Sequence, residues 1–428
     1  MIPRVRPSYS LGDLRAALRA PRDAVRTFEH ELAAHFGMRH ALTFPYGRSA
    51  IYSCLRALAP AGGAVVQPAY NCVVVAHATL LAGCRPVFVD AQRNRPNQDA
   101  DEMVDRVNAE TVAVVPTSLF GMTFDAAGLC DAIRHRNGNA LVLMDCCQCF
   151  DARWGGDLLA AQGDAALVAF GIGKPMTSLY GGALLTNRDD LIEAVRRQRD
   201  ASFRARPLHS ILRRWIYFLA SWLALSGPAV SATDFLENAD TPLHRYLLKM
   251  RARQTIRLPA DNQVCMTPME AAIGTAQLRR VDGFIRRRRE VAAIYARELG
   301  DTPGLQLLDW PEGSSYAIYA ARLNDPSRRQ QVLSALRRGG VQGDTTLSYV
   351  VPALECYRAA GYGDAFANAV AWSQSVINFP NHPTMTDQQV SHVVRAVRNA
   401  VMEPSPSPSP ASNAGEGTLQ SSFNEPPH

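Results

Sequence analysis

Residues 141–148 read LVLMDCCQ, an apolar run that ends in an aspartate, two cysteines and a glutamine. Four consecutive apolar residues predict a strand that is buried on both faces of a sheet. Asp145 follows directly, and burying its carboxylate is costly unless a cation meets it. We therefore predict that Asp145 meets a cationic partner at a functional site, although a structural helix N-cap would explain this residue, taken alone, equally well.

The sequence around this strand alternates short apolar runs with helix-length segments. Strands are predicted at 41–44, 64–66, 86–89, 112–115 and 182–185, and helices at 49–58, 73–82 and 127–135. This rhythm is typical of an α/β fold with a mostly parallel sheet. Functional sites in such sheets lie at the carboxyl ends of the strands.

The pattern changes in the second half of the chain. After an arginine-rich helix at 286–298 come a predicted strand at 316–323 and helices at 328–338 and 387–401, which indicate a smaller α+β lobe. We divide the chain into a large lobe at 1–260, with a helical insertion at about 200–259, and a small lobe at 261–402. The tail at 403–428 is rich in Pro and Ser and is predicted to be disordered.

Lys174 is the candidate nucleophile. Residues 170–175 read FGIGKP and place this lysine among glycines and apolar residues, where a desolvated amine loses its charge more easily. A surface lysine on a glycine turn is the alternative. A nucleotide-binding P-loop is excluded, because Pro175 stands where Ser or Thr is needed and Val168 where the first Gly belongs.

A second candidate site lies after the first strand. Residues 46–49 read YGRS and open directly into a helix, whose free backbone N–H groups and dipole suit a phosphate. A plain turn from strand to helix is the alternative interpretation of this segment.

Charge and cysteine content narrow the function classes. Lys and Arg number 45 against 39 Asp and Glu, a net charge of +6, which falls short of a nucleic-acid-binding signature. The nine cysteines indicate a reducing compartment, and we expect a cytoplasmic protein. No Cys/His pair stands at zinc-site spacing after Cys146, Cys147 and Cys149, so no metal site is predicted and these are interpreted as buried small side chains.

Residues 215–225 read WIYFLASWLAL and form one conspicuous apolar run. A membrane span needs roughly 20 apolar residues, so this run is too short to cross a bilayer. A buried or subunit-interface helix is the first interpretation, and a peripheral membrane contact is the second.

Taken in order, these segments resemble the DegT/DnrJ/StrS family of fold-type-I, pyridoxal-phosphate-dependent sugar aminotransferases, from about residue 28 to 401. The likeness is carried by the joint order and spacing of several motifs: FExELAxxFG at 28–37, GRSA at 47–50, PAY at 68–70, LAGCRPVFVD at 81–90, DCCQ at 145–148, the lysine block at 163–187 and MEAAIGxxQL at 269–278. The family fold implies a mostly parallel seven-stranded sheet in a large domain, with a small C-terminal α+β domain.

The resemblance also implies residue roles. Lys174 would hold pyridoxal phosphate as a Schiff base and shuttle the proton during transfer, and a lysine here, rather than the histidine of dehydrating relatives, implies transamination. Asp145 would keep the ring nitrogen protonated, and Gln148 would hydrogen-bond the ring 3-oxygen. The phosphate would be held by Gly47, Arg48 and Ser49.

Several positions depart from the family pattern. A ring-stacking aromatic is replaced by Cys72, with Tyr70 close by. The family's Ser before the lysine is Ala169, and the Arg of a segment lent by the neighbouring subunit is Cys265. We hypothesise that Arg48 gives the phosphate a charge-assisted partner in place of that Ser and Arg.

The resemblance implies a homodimer with shared active sites, because Gln263 would reach the partner's cofactor. The substrates would be an amino donor, glutamate first, and a keto-sugar carried on a nucleotide, for polysaccharide or secondary-metabolite biosynthesis. Two alternatives stay open. One is a catalytically altered relative that binds the cofactor as a regulator or partner protein, and the other is an enzyme that acts on a non-sugar small metabolite.

Overall fold

The computed structural model of the protein describes residues 1–224, 255–363 and 365–404. These residues form a large α/β lobe and a smaller lobe near the C-terminus. The predicted disordered tail, from residue 405 onward, lies outside the described residues.

A seven-stranded sheet forms the centre of the large lobe, in the order β1-β9-β8-β5-β4-β2-β3. Neighbouring strands run parallel from β3 through β8, and β9 is antiparallel to both β8 and β1. The predicted mostly parallel, seven-stranded α/β sheet is therefore confirmed. Its strands are β1 (His40–Phe44), β2 (Ala64–Pro68), β3 (Arg85–Val89), β4 (Thr111–Val114), β5 (Leu141–Asp145), β8 (Ala165–Ala169) and β9 (Gly182–Thr186).

Successive side chains of these strands enter two separate hydrophobic cores. Val142 and Met144 of β5 join the core on one face of the sheet, and Leu141 and Leu143 join the core on the other face. Because both faces are covered, the strands contain consecutive apolar residues, as in Leu141–Met144, rather than an apolar residue at every second position. This explains why the runs stood out in the sequence.

Helices cover both faces of the sheet. Those of the large lobe are α1 (Leu11–Leu18), α2 (Ala24–His35), α3 (Gly47–Leu58), α4 (Val73–Leu81), α5 (Ala100–Asp105), α6 (Ala126–Arg136), α7 (Asp189–Ser202), α8 (Leu208–Ala224) and α9 (Pro268–Leu278). A two-stranded ribbon, β6 (Arg153–Trp154) and β7 (Asp157–Leu158), follows β5.

Strand β8 was not among the strands predicted from the sequence. It reads AALVA, and alanine has little strand propensity, so the segment gave no clear β signal. It forms a strand because β5 and β9 pair with it on either side and bury it completely.

The small lobe contains a three-stranded antiparallel sheet of β10 (Leu305–Leu307), β11 (Tyr319–Leu323) and β12 (Val376–Phe379). Its helices are α10 (Val281–Leu299), α11 (Arg329–Arg338), α12 (Glu355–Arg358), α13 (Ala367–Ser375) and α14 (Asp387–Met402). Antiparallel strands with helices are the α+β arrangement predicted for this part of the chain.

The two hydrophobic cores meet along α10. Val281 and Ile285 belong to the core of the large lobe, together with α9, whereas Val291 and Tyr295 belong to the core of the small lobe. Ile2, at the other end of the chain, also enters the small-lobe core. We therefore propose that the lobes divide within α10 rather than at residue 261.

The described part of the predicted insertion is dominated by α8, which contains most of the apolar run at 215–225. Residue 225 lies outside the described residues. Within the described part of the chain, no helix is both long and apolar enough to cross a membrane.

Candidate active site

Strands β4, β5 and β8 are parallel neighbours, so their carboxyl ends meet at one edge of the sheet. Asp145 is the last residue of β5, and β8 leads into the loop that carries Lys174. The two residues with the strongest predicted roles therefore come from adjacent strands at the edge where such folds place their chemistry.

Asp145 is 4% exposed, and its side chain accepts a hydrogen bond from the backbone N–H of Cys147 at 3.0 Å. In the described part of the chain, no basic side chain forms an ion pair with it. A buried carboxylate is costly unless a cation meets it, so Asp145 is suited to bind a positively charged group.

Lys174 lies at the far end of the loop between β8 and β9. The base of this loop is closed by the Phe170 N–H, which donates to the Gly181 carbonyl at 3.0 Å, and by the Ser178 N–H, which donates to the Phe170 carbonyl at 3.0 Å. Lys174 is half-buried and forms no ion pair with any described residue. Its amine is therefore available for chemistry.

Cys147 lies close to both Asp145 and Lys174. Burial and the nearby Asp145 carboxylate raise the pKa of its thiol, and the positive charge of Lys174 opposes that rise. A thiol with a raised pKa stays protonated near neutrality, so Cys147 is a poor nucleophile and a poor metal ligand. Cys146 and Cys149 are buried, in keeping with their interpretation as small core side chains.

The predicted phosphate turn lies beside these strand ends. A methyl group placed on Gly47 would come within 3.2 Å of Ala169 Cβ and 3.5 Å of Cys147 Sγ. Gly47 begins α3, and no side chain caps this helix. The uncapped N-terminus, with its backbone N–H groups and positive dipole end, is thus next to β5 and β8 and suits an anion.

Ser49 and Arg48 differ in their surroundings. The buried Ser49 hydroxyl donates to Asn262 Oδ1 at 2.6 Å, and the Asn262 amide nitrogen has no hydrogen-bond partner although it is buried. The Arg48 guanidinium lies over the Tyr46 ring at 5.8 Å and pairs with no acid among the described residues. Asn262, held by Ser49, and Arg48 can therefore still supply donors to a phosphate.

Gln148 is held in a defined orientation. Its Oε1 accepts the N–H of Phe120 at 2.7 Å, and Phe120 has the unusual backbone φ of 60°. Because the oxygen is used in this way, the amide nitrogen of Gln148 is the atom left to donate elsewhere. A donor is what the proposed contact with a ring oxygen requires.

The remaining predicted residues are not all brought to this site. Cys72 lies close enough to influence the Cys147 thiol, whereas Tyr70 is 1% exposed and lies in a hydrophobic core shared with the small lobe. Gln263 is exposed, and its carbonyl accepts the N–H of Arg204 at 3.1 Å. Within one chain the neighbouring Asn262 contacts the phosphate turn, and the prediction that Gln263 reaches the partner's cofactor stays a prediction.

Sequence reasoning missed an ion network behind the phosphate turn. Asp261 accepts hydrogen bonds from Tyr46 at 2.8 Å, Arg206 at 3.0 Å and Arg214 at 2.9 Å. Burial alone would raise the pKa of Asp261, but these partners hold it below its usual value. The network fastens the insertion to Tyr46, which directly precedes α3.

Arg214 completes this network on its other side. It pairs with the buried Glu270 at 3.3 Å and stacks over the Tyr180 ring at 3.7 Å. The sequence signal was the basic pair Arg213-Arg214 before the apolar run. Both arginines look alike in sequence, and the structure shows that only Arg214 is buried.

A comparison with known protein families gives a match over most of the chain. Residues 17–215 and 239–398 match the model of the DegT/DnrJ/EryC1/StrS aminotransferase family. The match includes Lys174, Asp145 and the phosphate turn, as well as the small lobe.

Individual relatives are similar over nearly their whole length. The spore coat polysaccharide biosynthesis protein SpsC of Bacillus subtilis is 24% identical, over 88% of this chain and 89% of its own. A GDP-perosamine synthase of Vibrio cholerae is 23% identical, over 87% and 89%. A solved structure, the PLP-form of the putative sugar aminotransferase Spr1654 from Streptococcus pneumoniae, matches the fold with a TM-score of 0.72 at 17% identity, over 94% of this chain and 98% of that one.

Proposed function

The chain belongs to the DegT/DnrJ/EryC1/StrS aminotransferase family, and we propose that it moves an amino group from glutamate to a keto-sugar carried on a nucleotide. The protein is a pyridoxal-phosphate-dependent aminotransferase, and the relatives that match it include sugar aminotransferases. The observation that supports cofactor-dependent amino transfer is the convergence of Asp145, Lys174 and the uncapped N-terminus of α3 at one edge of the sheet.

The residues at this edge fit pyridoxal phosphate. The buried Asp145 lacks a cation, and a protonated ring nitrogen would provide one. The backbone N–H groups at the start of α3, together with Arg48, suit the phosphate. The Gln148 amide nitrogen can donate to the ring oxygen, and Lys174 is the amine for covalent attachment.

The chain's residues then have separate tasks. The cofactor, when bound, supplies an electron sink for the negative charge that develops on the reacting carbon. Asp145 holds the proton on the ring nitrogen, and Lys174 Nζ takes the proton from the α-carbon of the amino donor. The α3 turn fixes the position of the phosphate, so that both groups act on a correctly placed molecule.

The nucleotide-linked acceptor is proposed from the relatives. GDP-perosamine synthases and a dTDP-amino-sugar transaminase are among the proteins that match nearly the whole chain. The name of the Bacillus relative supports polysaccharide biosynthesis as the pathway class. A non-sugar small metabolite is the alternative acceptor.

We expect nitrogen-15 from labelled glutamate to appear in a sugar nucleotide. The protein with bound pyridoxal phosphate would be incubated with labelled glutamate and a panel of GDP- and dTDP-linked keto-sugars, and the products analysed by mass spectrometry. Release of 2-oxoglutarate with no label in any sugar, but with label in the amino acid formed from a small keto acid added to the same panel, would support the alternative acceptor. Absence of 2-oxoglutarate would reject glutamate as the donor.

Arg48→Ala should weaken pyridoxal phosphate binding by about tenfold to a hundredfold, the range for one charge-assisted hydrogen bond. Spectroscopic titration of the apoprotein measures this affinity. Arg56→Ala is the matched control, because Arg56 is exposed near the other end of α3. Unchanged affinity in Arg48→Ala would show that this arginine does not compensate for having alanine at 169 and cysteine at 265.

We propose that a second copy of the chain covers the outer side of α8. This helix turns Ser210, Arg214 and Phe218 toward the protein, and its outer side is an apolar stripe. The stripe consists of Leu208, Leu212, Ile216, Leu219 and Leu223, which are between 46% and 84% exposed. Exposed apolar surface of this kind marks an interaction site.

The position of α8 supports a second copy as the occupant. Arg214 of α8, and Arg206 just before the helix, pair with Asp261, which lies two residues before Gln263. Gln263 is the residue that we expect to reach the neighbouring subunit, and it is exposed. The stripe and this segment therefore belong to one region of the surface.

Leu212→Glu combined with Ile216→Glu should convert a dimer into a monomer, as measured by light scattering. Arg213→Gln, an exposed change on the same helix, should leave the mass unchanged. Wild-type protein should also stay in the supernatant with anionic lipid vesicles at low salt. A different outcome would show that the stripe binds membrane instead: the wild-type protein sediments with the vesicles, the double variant does not, and the two proteins have the same mass by light scattering.

A further inference from the structure

The phosphate turn, residues 46–49, meets the end of the lysine loop, residues 170–181, backbone to backbone. A methyl group placed on Gly182, the first residue of β9, would come within 2.5 Å of the Gly47 backbone nitrogen and Cα. Just before these two glycines, Tyr46 and Gly181 form an isolated β-bridge. The position of the turn therefore depends directly on the position of the end of the lysine loop.

Arg214 of α8 lies between the two tyrosines at this junction. Its Nη2 donates to the Tyr46 hydroxyl at 3.2 Å, and its guanidinium carbon lies 3.7 Å from the centre of the Tyr180 ring. The two rings are nearly perpendicular, at 83°, with their centres 5.8 Å apart. One buried side chain thus contacts a residue of the phosphate turn and a residue of the lysine loop.

The hydroxyl of Tyr46 is fixed as both donor and acceptor. It donates to Asp261 Oδ1 at 2.8 Å and accepts from Arg214. Burial raises the pKa of Tyr46, so the hydroxyl stays protonated and can keep both hydrogen bonds. Tyr46 is also the N-cap residue of α3, so a fixed Tyr46 side chain fixes the start of the helix whose backbone N–H groups suit the phosphate.

The charges around Arg214 cancel one another. Arg206 and Arg214 both pair with Asp261, and Arg214 also pairs with the buried Glu270. Two guanidinium groups thus face two carboxylates, which leaves no net positive charge to attract a phosphate. What this network can contribute to the site is the position of the groups that it contacts.

We infer that Arg214 is a positioning residue for the cofactor's phosphate, because through Tyr46 and Tyr180 it holds the phosphate turn at a fixed place relative to the lysine loop. The inference rests on the proposed function, in which the start of α3 binds the phosphate and Lys174 binds the other end of the cofactor. A molecule attached at both ends requires a constant separation between its two attachment points. The guanidinium group suits this task because its rigid plane offers donors at its edge and a face for stacking, whereas the ammonium group of lysine is a point charge.

Pyridoxal, which lacks the phosphate, is the reference ligand for the test. The dissociation constants of pyridoxal and of pyridoxal phosphate would be measured by absorbance titration of the apoprotein, and their ratio reports the contribution of the phosphate. Tyr46→Phe removes one hydroxyl and leaves Arg214 paired with both carboxylates, so no buried charge loses its partner. We expect the ratio to fall by about threefold to tenfold in Tyr46→Phe and in Arg214→Lys, the effect of about one hydrogen bond.

The double variant shows whether Arg214 acts through Tyr46. When both residues belong to one route, Tyr46→Phe combined with Arg214→Lys should lower the ratio no further than the single changes do. Tyr52→Phe, which removes a hydroxyl from α3 itself, and Arg213→Lys, a change at an exposed neighbour, are the matched controls and should keep the wild-type ratio. A merely structural role of Arg214 would weaken the binding of both ligands equally and leave the ratio unchanged.

An unchanged ratio in Tyr46→Phe overturns the inference, and this variant stays informative even when Arg214→Lys does not fold. Fully additive falls in the double variant also overturn it, because Arg214 would then not act through Tyr46. A wild-type ratio of about one overturns the proposed phosphate turn together with the inference. Failure of the proposed reaction is recognised separately, when the ratio depends on Tyr46 and Arg214 but no labelled nitrogen reaches any sugar.

Discussion

Replacing Lys174 with alanine should lower the rate of amino transfer by about ten-thousandfold, because one side chain provides both the covalent attachment and the proton transfer. The visible absorbance that pyridoxal phosphate gains on reacting with the protein should disappear in the same variant. Thermal stability should change little, since Lys174 is half-buried and forms no ion pair with a described residue.

The composition of the chain provides a sharp control for this result. The sequence contains only two lysines, Lys174 and Lys249, so Lys249→Ala removes the other candidate amine. We expect Lys249→Ala to keep both the absorbance and the activity. Attachment that persists in Lys174→Ala and disappears in Lys249→Ala would refute the assignment, and borohydride reduction followed by peptide mapping would identify the modified residue directly.

The fold was predictable because both faces of the sheet are buried. Strands such as β5 contain four consecutive apolar residues, and each such run in the sequence could be recognised without knowing its neighbours. Strand β8 was missed for the complementary reason, since an alanine-rich segment becomes a strand only when its two neighbours pair with it. Tertiary pairing, which no local pattern contains, decided its structure.

The candidate site was predictable where its residues follow one another closely along the chain. Asp145, Gln148 and Lys174 follow adjacent strands, and the sequence brought out all three. The Asp261 network joins Tyr46 to Arg206 and Arg214, and its members come from distant segments that no spacing rule connects. Nothing in the local sequence distinguishes the buried Arg214 from the exposed Arg213.

Contacts with distant segments also decide the different positions of the Cys72 and Tyr70 side chains. Both follow β2 within four residues, and an aromatic would be the natural choice for a residue that contacts a ring. Tyr70 packs in the hydrophobic core between the two lobes, whereas Cys72 lies near Cys147. Which way each side chain points depends on packing against the small lobe, which is remote in sequence.

Asp145→Asn should lower the rate of amino transfer by about a hundredfold to a thousandfold, the usual effect of removing one fixed group that stabilises charge in the transition state. An amide has nearly the same shape as the carboxylate, and it can still accept the Cys147 N–H. It carries no negative charge, however, so it cannot keep a ring nitrogen protonated. The variant should therefore retain the cofactor and its covalent absorbance while losing turnover, which distinguishes it from Lys174→Ala.

Asp164→Asn is the matched control for this prediction. Like Asp145, Asp164 accepts a hydrogen bond from a backbone N–H of the sheet, in this case that of Val142 at 2.7 Å. Asp164 precedes β8, however, so it lies at the opposite end of the strands from Lys174. Its replacement should reduce stability without a comparable fall in rate. Equal falls in rate in both variants would mean that Asp145 acts by holding the sheet together. A fall confined to Asp145→Asn would instead tie the rate to the charge of the one buried carboxylate that the described residues leave without a cation.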